Sequence, residues 1–178
     1  MGYKLSIDQT DQKILTAFFE LGYKYQGTFH EITLTEIAEQ ANLTRPTVYG
    51  RFGKKSDILH FLHNYLKQEV RATIEKSIHA DDIWKYLSEN VIPKIYDLRN
   101  YLKPLYCTEI DPVWLHYLEE DYQRLLEARI SDKFHRTLAI KTILDLVEHW
   151  LNHDFPESVE TFSNKFYHTM IKKYPIQS

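Results

Sequence analysis

Residues 33–55 constrain the fold of this chain most, because they carry the pattern of two short helices around a tight turn. Thr33 and Glu36 have the spacing of a capping box at the start of the first helix. Thr44 is a suitable N-cap for the second helix, which has Pro46 in its first turn. Polar and cationic residues at the start of that second helix favour a helix-turn-helix, whose second helix enters the major groove of DNA.

Composition supports a compact and mostly helical protein. The chain has 178 residues, of which 43% are hydrophobic, and only five are Gly and six are Pro. We therefore predict an all-α protein of about nine helices, from the period of the apolar residues. The proposed domains are residues 1–55, a three-helix helix-turn-helix domain, and residues 56–178, a second helical domain.

Charge and targeting signals limit the classes of function. The net charge is −3, so DNA binding would depend on a local basic patch rather than on the total. Residues 42–56 supply such a patch, with four basic residues and no acidic one. One cysteine, no signal peptide and no apolar run of about 18 residues predict a cytoplasmic protein without a membrane partner.

The rest of the chain also has the spacing of helices. Ser6 and Gln9 could cap a first helix that ends near Leu21, and a long helix begins near Ser56. A helix kinked at Pro93 follows. Further helices are predicted at 100–107, 111–130, 134–152 and 157–174.

No pattern of catalytic residues indicates an enzyme. The chain contains no Gly-rich phosphate loop, no H-E-x-x-H and no G-x-S-x-G motif. His60 with His63, and His149 with His153, share helix faces, but each pair lacks a third metal ligand of known position. We therefore expect no metal and no cofactor, and regard a helical enzyme or metalloprotein as the less favoured alternative.

Residues 41–59, A-N-L-T-R-P-T-V-Y-G-R-F-G-K-K-S-D-I-L, resemble the signature of TetR/AcrR-family transcriptional regulators. The similarity extends without a gap from Glu36. Three features depart from the family pattern: Gly22 replaces a usual Phe, the loop after it is longer, and Lys54 replaces a polar cap. None of them removes a residue that would touch DNA.

The resemblance implies a ligand-responsive repressor that binds a palindromic double-stranded operator as a homodimer. Arg45 would contact a base edge and Pro46 a thymine methyl group, while the remaining positions would hold phosphates. The DNA-binding residues implied by the motif are Thr33, Thr44, Arg45, Pro46, Thr47, Tyr49, Arg51 and Lys55.

The region after residue 81 is rich in aromatic residues, where the resembled family has its effector pocket. Individually these residues are best explained as core, but several together could line an apolar cavity for an unknown small molecule. The candidate ligand-binding residues are His63, Trp84, Tyr96, Tyr106, Trp114 and Tyr117.

The first of the last two predicted helices is apolar over most of its circumference, notably around Leu138, Leu146 and Trp150, and the second has an apolar stripe that includes Phe162 and Phe166. They could form a core pair within one chain, or pack against their copies across a two-fold axis as in the resembled family. We favour the dimer. The alternative function is a helix-turn-helix protein that has lost DNA binding and serves as a ligand-binding or protein-interaction module.

Overall fold

A computed structural model describes residues 5–25, 31–77, 79–107, 112–153 and 156–175. The side chains of residues 71, 72, 106, 107, 112–118 and 121 lie outside that description. Within the described ranges the protein is helical and has no strand, which confirms the predicted all-α class. The helices are α1 (Gln9–Lys24), α2 (Leu34–Gln40), α3 (Arg45–Arg51), α4 (Lys55–Ser77), α5 (Ile83–Tyr86), α6 (Ile92–Asp97), α7 (Arg99–Cys107), α8 (Pro112–Glu127), α9 (Lys133–Asn152) and α10 (Val159–Lys173).

The chain divides into two compact units, and the first comprises residues 1–68 and 104–114. It contains α1, α2, α3 and the beginning of α4. Its core is built from apolar side chains that have no exposed area, namely Ile14, Phe18, Ile37, Val48 and Leu62. The predicted boundary after residue 55 lies at the start of α4, whereas this unit continues along α4 to Gln68.

The beginning of α1 differs from the sequence prediction. Asp8, rather than Ser6, is the N-cap, and its side chain accepts a hydrogen bond from the Asp11 backbone N–H at 2.8 Å. The Asp11 carboxylate accepts from the Asp8 N–H at 3.1 Å, which completes a capping box made of two acidic residues. Two carboxylates near the positive end of the helix dipole stabilise this start better than a Ser–Gln pair.

The second unit comprises residues 69–103 and 115–178. Trp84 lies in its core with 1% of its surface exposed, and its indole N–H donates to the Tyr174 carbonyl at 2.7 Å. Tyr167 donates its hydroxyl to Asp82 at 3.0 Å. These bonds join α5 and its N-cap to the C-terminal helix and its C-cap, and they give the Trp84 indole and the Tyr167 hydroxyl a partner each.

The helix predicted to bend at Pro93 contains a π-helical turn, Leu87–Val91, immediately before it. The Ile92 N–H donates to the Leu87 carbonyl, five residues earlier, instead of the usual four. Proline has no N–H and its ring clashes with the carbonyl four residues before it, so the widened turn accommodates both effects. The segment is thereby split into α5, the π-turn and α6, which accounts for the tenth α-helix among the described residues.

The apolar surface of α9 is mostly covered within one chain. Ile140, Ile143, Val147 and Trp150 are all at most 3% exposed. The Trp150 ring stacks on Phe162 of α10 at a centroid distance of 4.1 Å. This packing agrees with the simpler of the two interpretations of the helix pair, a core within one protomer. The large apolar side chains that stay exposed on α9 and α10 are Phe134, Leu138 and Ile171.

Candidate nucleic-acid interface

The turn between α2 and α3 has the geometry of a Schellman motif. Asn42 adopts a left-handed backbone conformation with φ of 52°. The Leu43 N–H donates to the Ala38 carbonyl at 2.9 Å, and the Asn42 N–H donates to the Glu39 carbonyl at 3.1 Å. Asparagine tolerates this conformation better than most residues, so the chain ends one helix and begins the next within a few residues.

Side-chain caps fix the first residues of both helices, as the sequence predicted. The Thr33 hydroxyl accepts from the Glu36 N–H at 3.2 Å, while Glu36 accepts from the Thr33 N–H at 3.0 Å. The Thr44 hydroxyl accepts from the Thr47 N–H at 3.3 Å and also bonds the Thr47 hydroxyl at 2.7 Å. All four residues lie at helix starts, where free backbone N–H groups and the helix dipole favour anions such as phosphate.

A hydrogen bond from a half-buried tyrosine supports the first of these caps. The Tyr25 hydroxyl donates to Glu36 at 2.5 Å. This hydrogen bond, followed by that of Thr33, lowers the pKa of Glu36 below its usual range. The Tyr25 pKa is raised for the same reason, since its proton is shared with a carboxylate. Glu36 therefore stays ionised, as its capping role requires.

The second helix of the motif, α3, is exposed over nearly its whole surface. Val48 is its only buried residue, and it has no exposed area. Thr44 and the α3 residues Arg45, Pro46, Thr47, Tyr49, Gly50 and Arg51 are all exposed. A single buried residue anchors the helix, and its other residues lie at the surface.

Arg45 has an acidic neighbour across the turn. Its guanidinium donates to the Glu39 carboxylate at 3.1 Å, and both side chains are highly exposed, at 63% and 65%. An exposed pair of this kind is worth only about 0.2–1 kcal/mol. Arg45 can therefore leave Glu39 for a nucleic-acid acceptor at small cost.

Tyr49 lies across from α2. Its hydroxyl and that of Thr35 are 3.4 Å apart, and the tyrosine is 49% exposed. The Tyr49 ring is thus presented at the surface while its hydroxyl has a weak partner. Thr35 was not among the site residues predicted from the sequence. Its position in the first turn of α2, two residues after Thr33, could have indicated that it lies near the same surface.

Arg51 forms a clamp with α1 instead of extending into solvent. Its Nε donates to Asp11 Oδ1 at 2.7 Å and its Nη2 donates to Asp11 Oδ2 at 2.9 Å. The same Nη2 also donates to Asp8. The Asp11 side chain is only 3% exposed, whereas that of Arg51 is 41% exposed. The two-point bond therefore neutralises a buried carboxylate and ties the end of α3 to the start of α1.

Lys55 also bonds to the protein. Its ammonium group donates to the Ile32 carbonyl at 3.0 Å, just before α2 begins. The side chain is half-buried. At the C-terminal side of the motif, Arg51 thus holds α1 and Lys55 holds the segment before α2.

The candidate ligand-binding residues fall into different parts of the protein. Trp84 is a core residue, and Tyr96 stacks on Trp150 at 5.2 Å with the Arg99 guanidinium 4.3 Å from its ring. His63 belongs to the first unit, while Trp84 and Tyr96 belong to the second. The side chains of Tyr106, Trp114 and Tyr117 lie outside the described residues, so a shared pocket stays a prediction.

Among the residues that the structure describes, no group of three or more His, Cys, Asp or Glu side chains could hold a metal ion. None of the helices in the same ranges is long and apolar enough to cross a membrane.

Comparison with known proteins identifies the motif. Residues 25–61 match the family model described as bacterial regulatory proteins, tetR family. The chain has the N-terminal domain and the fold of the TetR family. The TetR-type match covers all of α2 and α3 and the first turns of α4, and so includes both caps and the exposed helix α3.

Solved structures of TetR-type proteins share the fold across the whole chain. A TetR transcriptional regulator from Streptococcus agalactiae 2603V is 20% identical with a TM-score of 0.59, covering 92% of this chain and 94% of its own. The AlkX repressor from Dietzia sp. strain DQ12-45-1b, implicated in biodegradation of n-alkanes, is 18% identical with a TM-score of 0.55, covering 93% and 98%. NalD of Pseudomonas aeruginosa, the secondary repressor of the MexAB-OprM multidrug efflux pump, is 19% identical with a TM-score of 0.55, covering 93% and 95%. No curated protein matches the sequence significantly.

Proposed function

We propose that this TetR-type protein is a ligand-responsive transcriptional repressor that binds a palindromic DNA operator as a homodimer. The observation that carries the proposal is the exposed surface of α3, a helix held by one buried residue and capped at its N-terminus by Thr44. A short helix presented in this way fits the major groove with its N-terminal residues toward the bases. The names of AlkX and NalD, both repressors, support the direction of regulation.

The exposed residues divide into two groups by the chemistry they offer DNA. Arg45 is the base-contacting residue, since a guanidinium can donate two hydrogen bonds to guanine O6 and N7. Pro46 offers an apolar contact to a thymine methyl group. Hydroxyl groups and helix N-termini bind phosphate oxygens and fix the register. The residues of this second group are Thr33, Thr44, Thr47 and Tyr49.

Arg51 and Lys55 contribute to the same interface in a different way. The motif assigns them to phosphates, but each already donates to a protein acceptor, Asp11 and Ile32 respectively. Leaving the buried Asp11 carboxylate without a partner would be costly. We therefore propose that Arg51 orients α3. Lys55 would bind a DNA phosphate only after its ammonium group breaks the hydrogen bond to the Ile32 carbonyl.

Dimerisation would use the helical domain. Phe134 and Leu138 are one turn apart on α9, and Ile171 lies on α10, so each helix keeps apolar side chains at its surface. Two-fold dimers are the commonest oligomers, and a dimer presents two copies of α3 to two half-sites. A small apolar effector that favours one spacing of the two α3 copies in the dimer would then change the operator affinity. The typical size of such a coupling is about 1–3 kcal/mol. We further propose a cytoplasmic location and no enzymatic activity.

Two measurements on the purified chain test this proposal. Electrophoretic shift assays with operator-like duplex selected from random DNA should give a specific complex, and light scattering should give a dimer mass at micromolar concentration. The second candidate function is a helix-turn-helix module without DNA binding, which the clamped state of Arg51 and Lys55 favours. Absence of any specific complex, together with a folded dimer, would support that alternative and contradict the repressor.

A further inference from the structure

Two histidines near the end of α9 point their ring nitrogens at each other. His149 and His153 are four residues apart, and their Nε2 atoms are separated by 3.3 Å. The rings stand at 90° to one another with centroids 4.7 Å apart. Both side chains are exposed. The sequence placed both histidines on one helix face and predicted no metal, because spacing alone does not reveal where the rings point.

The separation of the two nitrogens matches that of two ligands on one metal ion. Zinc–nitrogen bonds of about 2.0–2.1 Å at a tetrahedral angle place two nitrogens about 3.3–3.4 Å apart. Histidines four residues apart on one helix face are a known arrangement for a shared zinc ion. Without metal, one ring can donate a proton to the other, although 3.3 Å is at the long end for a hydrogen bond.

The surroundings leave room for an ion. Both histidines line an open groove of about 730 Å³ between α9 and α10, together with His168, Glu157 and Lys165. The Lys165 ammonium group pairs with Glu157, so those two charges are mutually compensated. Because the groove is open, it is accessible to solvent. Water can therefore complete the coordination of a bound ion.

We propose that His149 and His153 bind one divalent transition-metal ion through their Nε2 atoms. Imidazole ligands suit zinc, copper and nickel, whereas magnesium and calcium prefer oxygen ligands. The ion would link the last turn of α9, which carries His149, to the C-cap residue His153. This site goes beyond the proposed regulation by DNA binding and uses no residue of the helix-turn-helix.

The test is calorimetric titration of the untagged protein with zinc chloride and nickel chloride, compared with magnesium chloride. We expect saturable binding of one zinc or nickel ion per chain and none of magnesium. His149→Ala and His153→Ala should each abolish this binding. The matched control is His79→Ala, which removes another exposed histidine from the second unit and should leave binding intact.

A spectroscopic measurement identifies the ligands directly. With one equivalent of copper(II), the electron paramagnetic resonance spectrum should show coupling to two imidazole nitrogens, and fewer in either single variant. Circular dichroism verifies that the variants fold, and the DNA shift assay on the same preparations reports the repressor proposal separately. Absence of saturable zinc or nickel binding, or binding that survives both substitutions, would overturn the metal site.

Discussion

Each end of α3 carries an arginine, and the two arginines have opposite environments. Arg45 at the N-terminal end is 63% exposed and meets an equally exposed Glu39. Arg51 at the C-terminal end donates two hydrogen bonds to Asp11, whose side chain is 3% exposed. Two identical side chains six residues apart therefore have different environments: Arg45 forms an exposed pair that is cheap to break, as the proposed base contact requires, and Arg51 ties the end of α3 to α1.

Arg51→Ala should have the largest effect, because it leaves the buried Asp11 carboxylate without its cation. We expect a loss of about 1–3 kcal/mol in the free energy of unfolding, at the lower end of buried-pair values since Arg51 is partly exposed. Urea unfolding measures this. The double variant Arg51→Ala with Asp11→Asn is the control and should recover part of the loss, since it removes the buried charge but keeps a side-chain oxygen for the Asp8 N–H. A stable single variant whose operator affinity depends less on salt would instead make Arg51 a phosphate contact.

Arg45→Ala should leave folding nearly unchanged and weaken base recognition. The expected loss is about 1–3 kcal/mol per half-site for the cognate base pair, with relaxed preference at that position alone. Selection of bound sequences from random DNA, with wild type and variant in parallel, checks both effects. Arg45→Lys is the conservative comparison, since a lysine keeps the charge but not the two-point geometry. An unchanged selected site would exclude Arg45 from base contact.

Gly50→Ala should stabilise the helix between these two ends. A methyl group added there meets no heavy atom within 4 Å, so the change is free of clashes. Replacing glycine by alanine in a helix is worth about 0.5–1 kcal/mol. We expect a higher melting temperature and unchanged operator affinity, since the base-contacting end of α3 is the opposite one. A stabilised protein with weaker operator binding would mean that DNA closely approaches the C-terminal end as well.

Glu39→Gln should strengthen DNA binding slightly. The substitution removes the carboxylate that competes for Arg45 and a negative charge near the phosphates. Exposed pairs contribute about 0.2–1 kcal/mol, so the affinity should rise roughly 1.4- to 5-fold. Fluorescence anisotropy at fixed salt measures the change, and Glu31→Gln serves as an acidic control elsewhere in the first unit. Weaker binding in Glu39→Gln would show that Glu39 orients Arg45 for DNA.

Acid should loosen the cap of α2 by a smaller amount. The Tyr25 hydroxyl, and then Thr33, hold the pKa of Glu36 below its ordinary value of 4.5. A carboxylate with a lowered folded pKa contributes stability that is complete above the unfolded value and is lost as pH falls through the folded one. Thermal unfolding between pH 7 and 3 should therefore show a decline that begins near pH 4.5. Tyr25→Phe should make that decline shallower, and an identical profile would exclude Glu36 as its source.

Contacts between residues close in the sequence could be predicted from it, whereas contacts between distant residues could not. Thr33 and Thr44 were identified as caps because a capping box acts over three residues and is visible in the local pattern. The Arg51–Asp11 clamp joins residues 40 positions apart, so it depends on how α1 meets α3. The sequence did contain one local sign of these carboxylates that the prediction overlooked. Asp8 and Asp11 have the D-x-x-D spacing of the capping box that starts α1. For Trp84 the sequence favoured a core position but left a pocket-lining one open, because only tertiary packing decides between them.

A crystal structure of the protein bound to its selected operator tests the assignment of the two arginines most directly. We predict α3 in the major groove, with the Arg45 guanidinium released from Glu39 and within hydrogen-bonding distance of a base edge. Arg51 should retain both bonds to Asp11 in the same complex. An Arg51 side chain turned onto a phosphate, with Arg45 still bound to Glu39, would contradict the account.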